Sequence, residues 1–204
     1  MARKSNTEAR RAEITGALLA VIARHGYERA TIQAIAAQAG LAPGLIHYHF
    51  HNKQEILVSL IGTMAKAAHA RFLAVLGDQV EPWPRLRAYL QARLGLGDGA
   101  APDIVAAWVM IGAEAVRQPE VRAVYQHMVA DELALLTTLL GDCLAARERD
   151  AAAAGRLAAG LAALIEGAYQ LSSAAGDVMP KGYAADAAIA YAELAIAAAP
   201  ARRR

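Results

Sequence analysis

The sequence predicts an all-α protein of about nine helices, a three-helix N-terminal head followed by a helical body. Three observations carry this. Alanine dominates a chain that is 56% apolar and only 5% aromatic, and runs of Val and Thr are nearly absent, so local preference is helical almost throughout. Apolar residues recur at three- and four-residue spacing along most of the chain. Clusters of Gly and Pro punctuate those stretches. At 204 residues the chain is long enough for one domain or two small ones, and its apolar content is ample for a core.

The first helix starts near Thr7 and places Ile14, Leu18, Val21 and Ile22 on one stripe; after His25, Gly26 offers a left-handed stop. Thr31 caps the second helix, Ile35, Ala36 and Ala39 face inward, and Gly40 closes it. Leu41 plugs the space between helices. Pro43 suits a first-turn position because its missing N–H lacks an intrahelical partner there anyway, so the third helix is short, about 43–49. Asn52 caps a long fourth helix with Ile56, Leu57, Leu60, Ile61 and Met64 on its inner side. The two prolines of 77–85 break the fourth helix from the fifth, and 95–103 forms a second break. Pro102 starts a sixth helix through Arg117, Pro119 a seventh of about thirty residues to Arg149, and an eighth occupies roughly 151–175. The loop 176–183 precedes a final helix ending before Pro200, and no repeat of fixed period is present.

Residues 155–175 carry only Arg156 and Glu166 as charges. A helix apolar on all sides must bury two faces, in a large core, a partner or a membrane. Glu166 and Gln170 sit centrally and small residues outnumber Leu and Phe, which disfavours a membrane span. A chain this size has a small core, so a subunit interface is the expected home, through Gly160, Leu161, Leu164, Ile165, Ala168, Leu171 and, from the last helix, Tyr191.

The net charge of +2 hides an asymmetry. Residues 1–53 hold seven Lys or Arg against three acids, a net of +4; residues 54–201 hold eleven against sixteen, a net of −5; three arginines end the chain. A basic head on an acidic body suits a protein that sets one end against phosphates. The N-terminus lacks the apolar stretch of a secretory signal, so a cytoplasmic product is expected. Cys143 stands alone, which excludes an internal disulfide and a thiolate cluster and makes it a small core residue. His47, His49 and His51 alternate along a helix and point about 200° apart, so they do not converge on a metal. No cofactor is expected.

Residues 31–53, TIQAIAAQAGLAPGLIHYHFHNK, lay out a short helix, a glycine turn and a second helix opening at a proline. That is the plan of a helix-turn-helix, which sets its second helix in a DNA groove. Gly26-Tyr27, Thr31, Ile35-Ala36, Ala39-Gly40, the run Gly44 to Phe50 and Asn52-Lys53 resemble the tetracycline-repressor-type (TetR) family of bacterial regulators. Ala107-Trp108, Gln118-Pro119, the run Ala162 to Gly167 and Tyr191 resemble its choline-responsive, BetI-like branch. The resemblance implies a DNA-binding domain at 1–53 and a ligand-binding and dimerisation domain at 54–204. It further implies a homodimer joined through its last two long helices, a palindromic double-stranded operator, and release by a small molecule.

At the head, Thr31 serves as a plain cap and, with the first amides of its helix, as a phosphate donor. Gln33 projects where the family often reads a base edge, and a solvent-facing glutamine satisfies the same position. Pro43, Gly44 and Leu45 open the recognition helix, where little bulk lets the backbone approach bases. His47 stands where the family usually has Tyr, Tyr48 and His49 touch phosphate or support the helix, and Lys53 is expected to reach phosphate.

In the body, Tyr89, Trp108, Ile111, Glu114, Tyr125, Met128, Glu166, Tyr169 and Gln170 supply aromatics with one or two carboxylates, a set that suits a cation. This agrees with the quaternary ammonium ligand that the resemblance suggests. The same residues at helical spacing also satisfy an ordinary core. Glu166, amid Ala, Leu and Ile, needs a partner if buried, across a dimer or in a ligand. The rival classes are a helical metal-dependent or hydrolytic enzyme and a structural dimer without operator binding. The enzyme lacks a Glu-x-x-His pair, nucleophile elbow or phosphate loop, and the basic head argues against the structural dimer.

Overall fold

Nine α-helices form among the described residues of the computed structural model, 2–95 and 102–202, the first five of these through their backbone alone. They are α1 (Ala2–His25), α2 (Ile32–Ala39), α3 (Pro43–His49), α4 (Lys53–Leu76), α5 (Pro82–Leu94), α6 (Pro102–Ala115), α7 (Pro119–Ala146), α8 (Ala154–Ala175) and α9 (Tyr183–Ala198). The order matches the sequence reading, with shifts at the ends that have local causes. Ala2–Asn6 contains neither Gly nor Pro, and α1 extends back through it rather than starting near Thr7. Both prolines of 77–85 fall in the first turn of α5, where a missing N–H costs nothing. Helix α6 stops at Ala115 because Arg122 takes the carbonyls of Ala115 and Val116, at 2.9 and 2.6 Å, in place of a further turn. Helix α7 stops at Ala146, two residues before Glu148 turns left-handed at φ 55°. Most of the expected break at 95–103 lies outside the described residues, as do Arg203 and Arg204.

The chain divides into two compact units. The first comprises Met1–Lys66 and Asp103–Gln126. Here α1, α2 and α3 pack around Ile14, Leu18, Ile22, Tyr27, Ile35, Ile46, Phe50, Ile56 and Leu57, all at 2% exposure or less. Thr31 adopts an extended conformation and its hydroxyl oxygen accepts the Ala34 N–H at 3.1 Å, the expected cap of α2. The other end is a Schellman turn: Gly40 sits at φ 66°, its N–H bonds Ala37 O at 3.2 Å, and the Leu41 N–H bonds Ala36 O at 2.9 Å. That turn fixes the angle at which the chain leaves α2 for α3.

The second unit comprises Ala67–Pro102 and His127–Arg204, with α5, α8 and α9 packed on one another. Leu86 and Leu90 of α5, Leu136, Leu140 and Leu144 of α7, Leu161 and Ile165 of α8, and Ala188, Ala192 and Ile196 of α9 are fully buried. Cys143 is also in this core, and burial, first of its causes, pushes its thiol up to about 11. Helices α8 and α9 touch closely at Gly160, where an added Cβ would lie 2.2 Å from the Tyr191 hydroxyl oxygen. The end of the chain is clasped to the α7–α8 corner: the Asp150 N–H bonds Pro200 O and the Arg202 N–H bonds Glu148 O, both at 2.9 Å.

The structure corrects one part of the expected interface. Leu161, Ile165 and Ala168 are 0%, 0% and 3% exposed within the protomer, so they offer no surface to a partner. The reason is the helical period. Their side of α8 faces the unit's own core, while Gly160 and Leu164 are half-buried and Leu171 and Tyr191 remain exposed. Both α4 and the stretch Ala151–Val178 are long and apolar enough to cross a membrane, with 28% and 33% of their apolar windows buried.

No atom lies within 4 Å of a Cβ added at Gly40, so replacement there costs backbone strain and not a clash. A left-handed L-residue costs roughly 1–2 kcal/mol, and G40A should lower stability by that amount in urea unfolding, with side-chain packing unchanged.

Candidate nucleic-acid interface and effector residues

A seven-residue helix has no stability of its own, so α3 must be held by what it touches. Pro43 occupies its first turn, and the preceding Ala42 lacks a side-chain cap. Ile46 and the following Phe50 are buried at 0% and 1%, which turns Gly44, Leu45, His47 and Tyr48 outward, Tyr48 to 74% exposure. His49 is half-buried and meets the Tyr48 ring edge-on at 4.9 Å. Thr31 and Gln33 are exposed at the start of α2. The head therefore presents the start of α2 and one face of α3.

The third anchor of α3 is Arg11. Its guanidinium carbon lies 3.9 Å from the Phe50 ring centroid, Nη1 donates to the His49 carbonyl, and Nη2 reaches Glu55 Oε1 at 3.2 Å. The His49 carbonyl is one of the orphan acceptors at the helix end, where partial negative charge accumulates and a cation is favoured. Glu55 continues the chain of contacts. Its Oε2 accepts the His51 N–H at 2.8 Å, and its own N–H donates to Asn52 Oδ1 at 2.8 Å, which starts α4. The His51 N–H is the main reason its carboxyl is held below the usual range; Arg11 adds to this and burial opposes it.

Lys53, expected to reach phosphate, is half-exposed and also has a partner inside the head. Its Nζ donates to the Tyr27 carbonyl at 3.0 Å and sits 4.0 Å from the Tyr27 ring centroid, bracing α4 against the turn between α1 and α2. Burial lowers the Lys53 pKa, opposed by Glu114, Glu120 and Glu28. Burial likewise pushes the Tyr27 hydroxyl up to about 12, with Glu120 and Glu114 adding to it.

The effector residues expected from sequence divide between the two units. In the first, the Trp108 and Tyr125 rings lie 4.9 Å apart, Tyr125 rests over Gly112, and Ile111 is core at 0% exposure. Glu114, 6% exposed, is engaged locally, accepting from Gln118 Nε2 at 2.5 Å and Arg117 Nη2 at 3.3 Å. In the second unit, Tyr89 and Tyr169 are buried, Met128 and Glu166 half-buried, and Gln170 exposed. Tyr89 and Tyr169 join a network that the sequence did not announce. Arg93 grips Glu132 with two parallel bonds, Nε to Oε1 at 3.0 Å and Nη2 to Oε2 at 2.9 Å. The Tyr89 hydroxyl donates to the same Oε1 at 2.8 Å, and the Tyr169 hydroxyl donates to the Arg93 carbonyl at 3.0 Å. Burial works against the Arg93 charge, but Tyr169, Glu132 and Tyr89 outweigh it and raise its pKa. Burial raises both tyrosines, so each hydroxyl stays a donor.

Arg11, Glu55 and Arg93 support these sites and are not singled out by sequence, whereas Glu132 falls at the ligand end by sequence but without its partners. Arg11 reaches 38 and 44 residues along the chain, and Arg93 reaches 39, separations at which periodicity carries no signal.

A buttressed helix-turn-helix with one outward face defines a DNA-binding regulator. Comparison with known proteins gives its place. Residues 14–60 match the model of bacterial regulatory proteins of the tetR family, and residues 82–197 match the C-terminal model of BetI-type transcriptional repressors. The HTH-type transcriptional regulator BetI of Rhizobium meliloti is 32% identical over 163 residues, covering 78% of this chain and 76% of its own. The BetI of Paraburkholderia phymatum is 27% identical across 93% of this chain and 94% of its own. A transcriptional regulator from Saccharomonospora viridis, solved in complex with choline, shares the fold with a TM-score of 0.73 at 24% identity, over 96% of this chain and 100% of that one. This chain belongs to the TetR family of transcriptional regulators, in its BetI-type branch. Family and relatives are regulators, and the enzyme reading falls away.

Because folding depresses the Glu55 pKa, its contribution is whole above the ordinary carboxylate value of 4.5 and drains as pH falls below it. Urea midpoints measured at about pH 7 and about pH 3.5 should therefore fall less in E55Q than in wild type, within an acid transition to which other carboxylates also contribute. In the second unit, E132Q strands a buried guanidinium and should cost about 3 kcal/mol, whereas the apolar pair R93M/E132L should cost less than that single change. Equilibrium unfolding of the three proteins distinguishes the two outcomes.

Proposed function

We propose that this protein is a homodimeric repressor that occupies a palindromic operator with α3 in the major groove and leaves it when a small cation binds. The observation that carries the reading is the outward face of α3, Gly44, Leu45, His47 and Tyr48, held by Ile46, Phe50 and Arg11 in a TetR-family head. Residues 1–53 are the DNA-binding part and 54–204 the effector and dimer part, working in the cytoplasm. Gly44 and Leu45 let the helix approach base edges, Gln33 reads one, and Tyr48, His49 and Thr31 meet phosphate. Few polar groups line that face, so His47, Gln33 and DNA shape carry much of the specificity.

The dimer forms through the outward sides of α8 and α9, where Leu171, Tyr191 and Leu194 are 42%, 37% and 71% exposed. Two recognition helices must sit about 34–36 Å apart to enter successive major grooves. Effector binding that changes this spacing releases phosphate contacts without any chemistry. The effector is an ammonium compound, supported by the choline in the Saccharomonospora viridis regulator and by two aromatic groups here, Trp108–Tyr125 and Tyr89–Tyr169.

Selection from genomic fragments at moderate salt should retain palindromic sites, with binding that weakens steeply as salt rises. Q33A should relax preference at one base position at a cost of about 1–3 kcal/mol, while Y48F weakens all sites evenly. Recovery of no preferred site would end the repressor reading.

A further inference from the structure

The Arg71 side chain, on α4 in the second unit, is half-buried, and its Nε is shielded from solvent and meets no acceptor among the described residues. A guanidinium does not neutralise itself by losing a proton, and a buried donor without an acceptor is costly, so this N–H calls for an oxygen that the described residues do not supply. The Glu132 carboxylate is engaged elsewhere. Both Glu132 oxygens are taken by Arg93, and one of them also by Tyr89. The next residue of α4, Phe72, packs its ring edge-on against Tyr89 at 5.6 Å, so this stretch of α4 runs past the network. Arg71 and Glu166 also act on the Tyr169 hydroxyl in opposite senses, the cation lowering and the carboxylate raising its pKa. Opposite charges thus flank one buried phenol.

We propose that Arg71 is a ligand-anchoring residue whose buried Nε donates to a carboxylate, and that the effector is a zwitterion carrying that carboxylate a short distance from its ammonium group. The ammonium half rests on the function proposed above; the carboxylate half rests on Arg71. An ammonium compound without an acid group leaves the Nε unanswered, while one with a carboxylate supplies a charge-assisted hydrogen bond.

Four probes of nearly equal size separate the halves: choline, N,N,N-trimethylglycine, 3,3-dimethylbutanol and 3,3-dimethylbutyrate. The first pair carries the cation and the second replaces its nitrogen by carbon; within each pair only one member has a carboxylate. Thermal shift and calorimetry on the full chain should give N,N,N-trimethylglycine about tenfold tighter binding than choline. R71M should erase that preference while keeping the choline response, and R71K, which keeps the charge but lacks the Nε, should reduce it. If choline binds as tightly as N,N,N-trimethylglycine, or the preference survives R71M, the Arg71 assignment is overturned and the ammonium reading stands. If 3,3-dimethylbutyrate binds as tightly as N,N,N-trimethylglycine and in an Arg71-dependent way, the anchor stands and the ammonium reading fails. Absence of any shift overturns both. Should R71M not fold, the wild-type ranking of the four probes still decides.

Discussion

The end of α3 is fastened by a single cation, in addition to the buried Ile46 and Phe50. Arg11 closes the carbonyl end of a helix too short to persist alone, covers Phe50, and through Glu55 ties that end to the first turn of α4. Each contact is modest, since a half-exposed ion pair is worth little and a cation over a ring only somewhat more. Their convergence is what matters: the end of α3, the turn after it and the start of α4 share one set of partners. Lys53 does the same on the other side, tying the start of α4 to Tyr27. The basic residues of the head therefore serve two tasks. Arg11 and Lys53 help to hold the head in shape, whatever charge they also offer to phosphate.

The second unit solves a different problem. It buries a charged pair, Arg93 and Glu132, at 17% and 11% side-chain exposure, where desolvation cancels much of the attraction. The Tyr89 hydroxyl adds a bond to the pair and the Tyr169 hydroxyl bonds the Arg93 backbone carbonyl, so residues of three helices share one arrangement. This consumes the acidic group best placed to attract a cation. Arg71, in the same unit, keeps a buried donor that meets no acceptor among the described residues. Tyr89 and Tyr169, which sequence offers equally to a cation site or a core, are in three dimensions bonded to an internally paired Arg93 and Glu132.

Much of the fold was readable from local patterns, because its boundaries are set by local chemistry. Thr31, Gly40, Pro43 and Asn52 act through bonds within four residues of themselves, and each does what its residue type requires. The outward residues of α3 follow from one buried position, Ile46, and the helical period. What sequence could not supply was direction at long range. Lys53, which sits where a phosphate contact is expected, also bonds a carbonyl 26 residues away, and no local pattern announces that. Leu161, Ile165 and Ala168 share an apolar stripe that fits a protomer core and a dimer equally well, and only packing assigns it to the core. Glu132 offered no hint that Arg93 and Tyr89 would both seek it.

The contact between Gly160 and Tyr191 constrains more than the spacing of α8 and α9. With a Cβ at position 160 only 2.2 Å from the tyrosine hydroxyl oxygen, the two sites behave as one variable. Alanine at 160 is admissible with a shorter residue at 191 or with that ring turned elsewhere, and tyrosine at 191 in its present place requires glycine at 160. Substitutions at the two sites are therefore coupled: the cost of a side chain at 160 depends on what stands at 191 and on the freedom of that ring to turn.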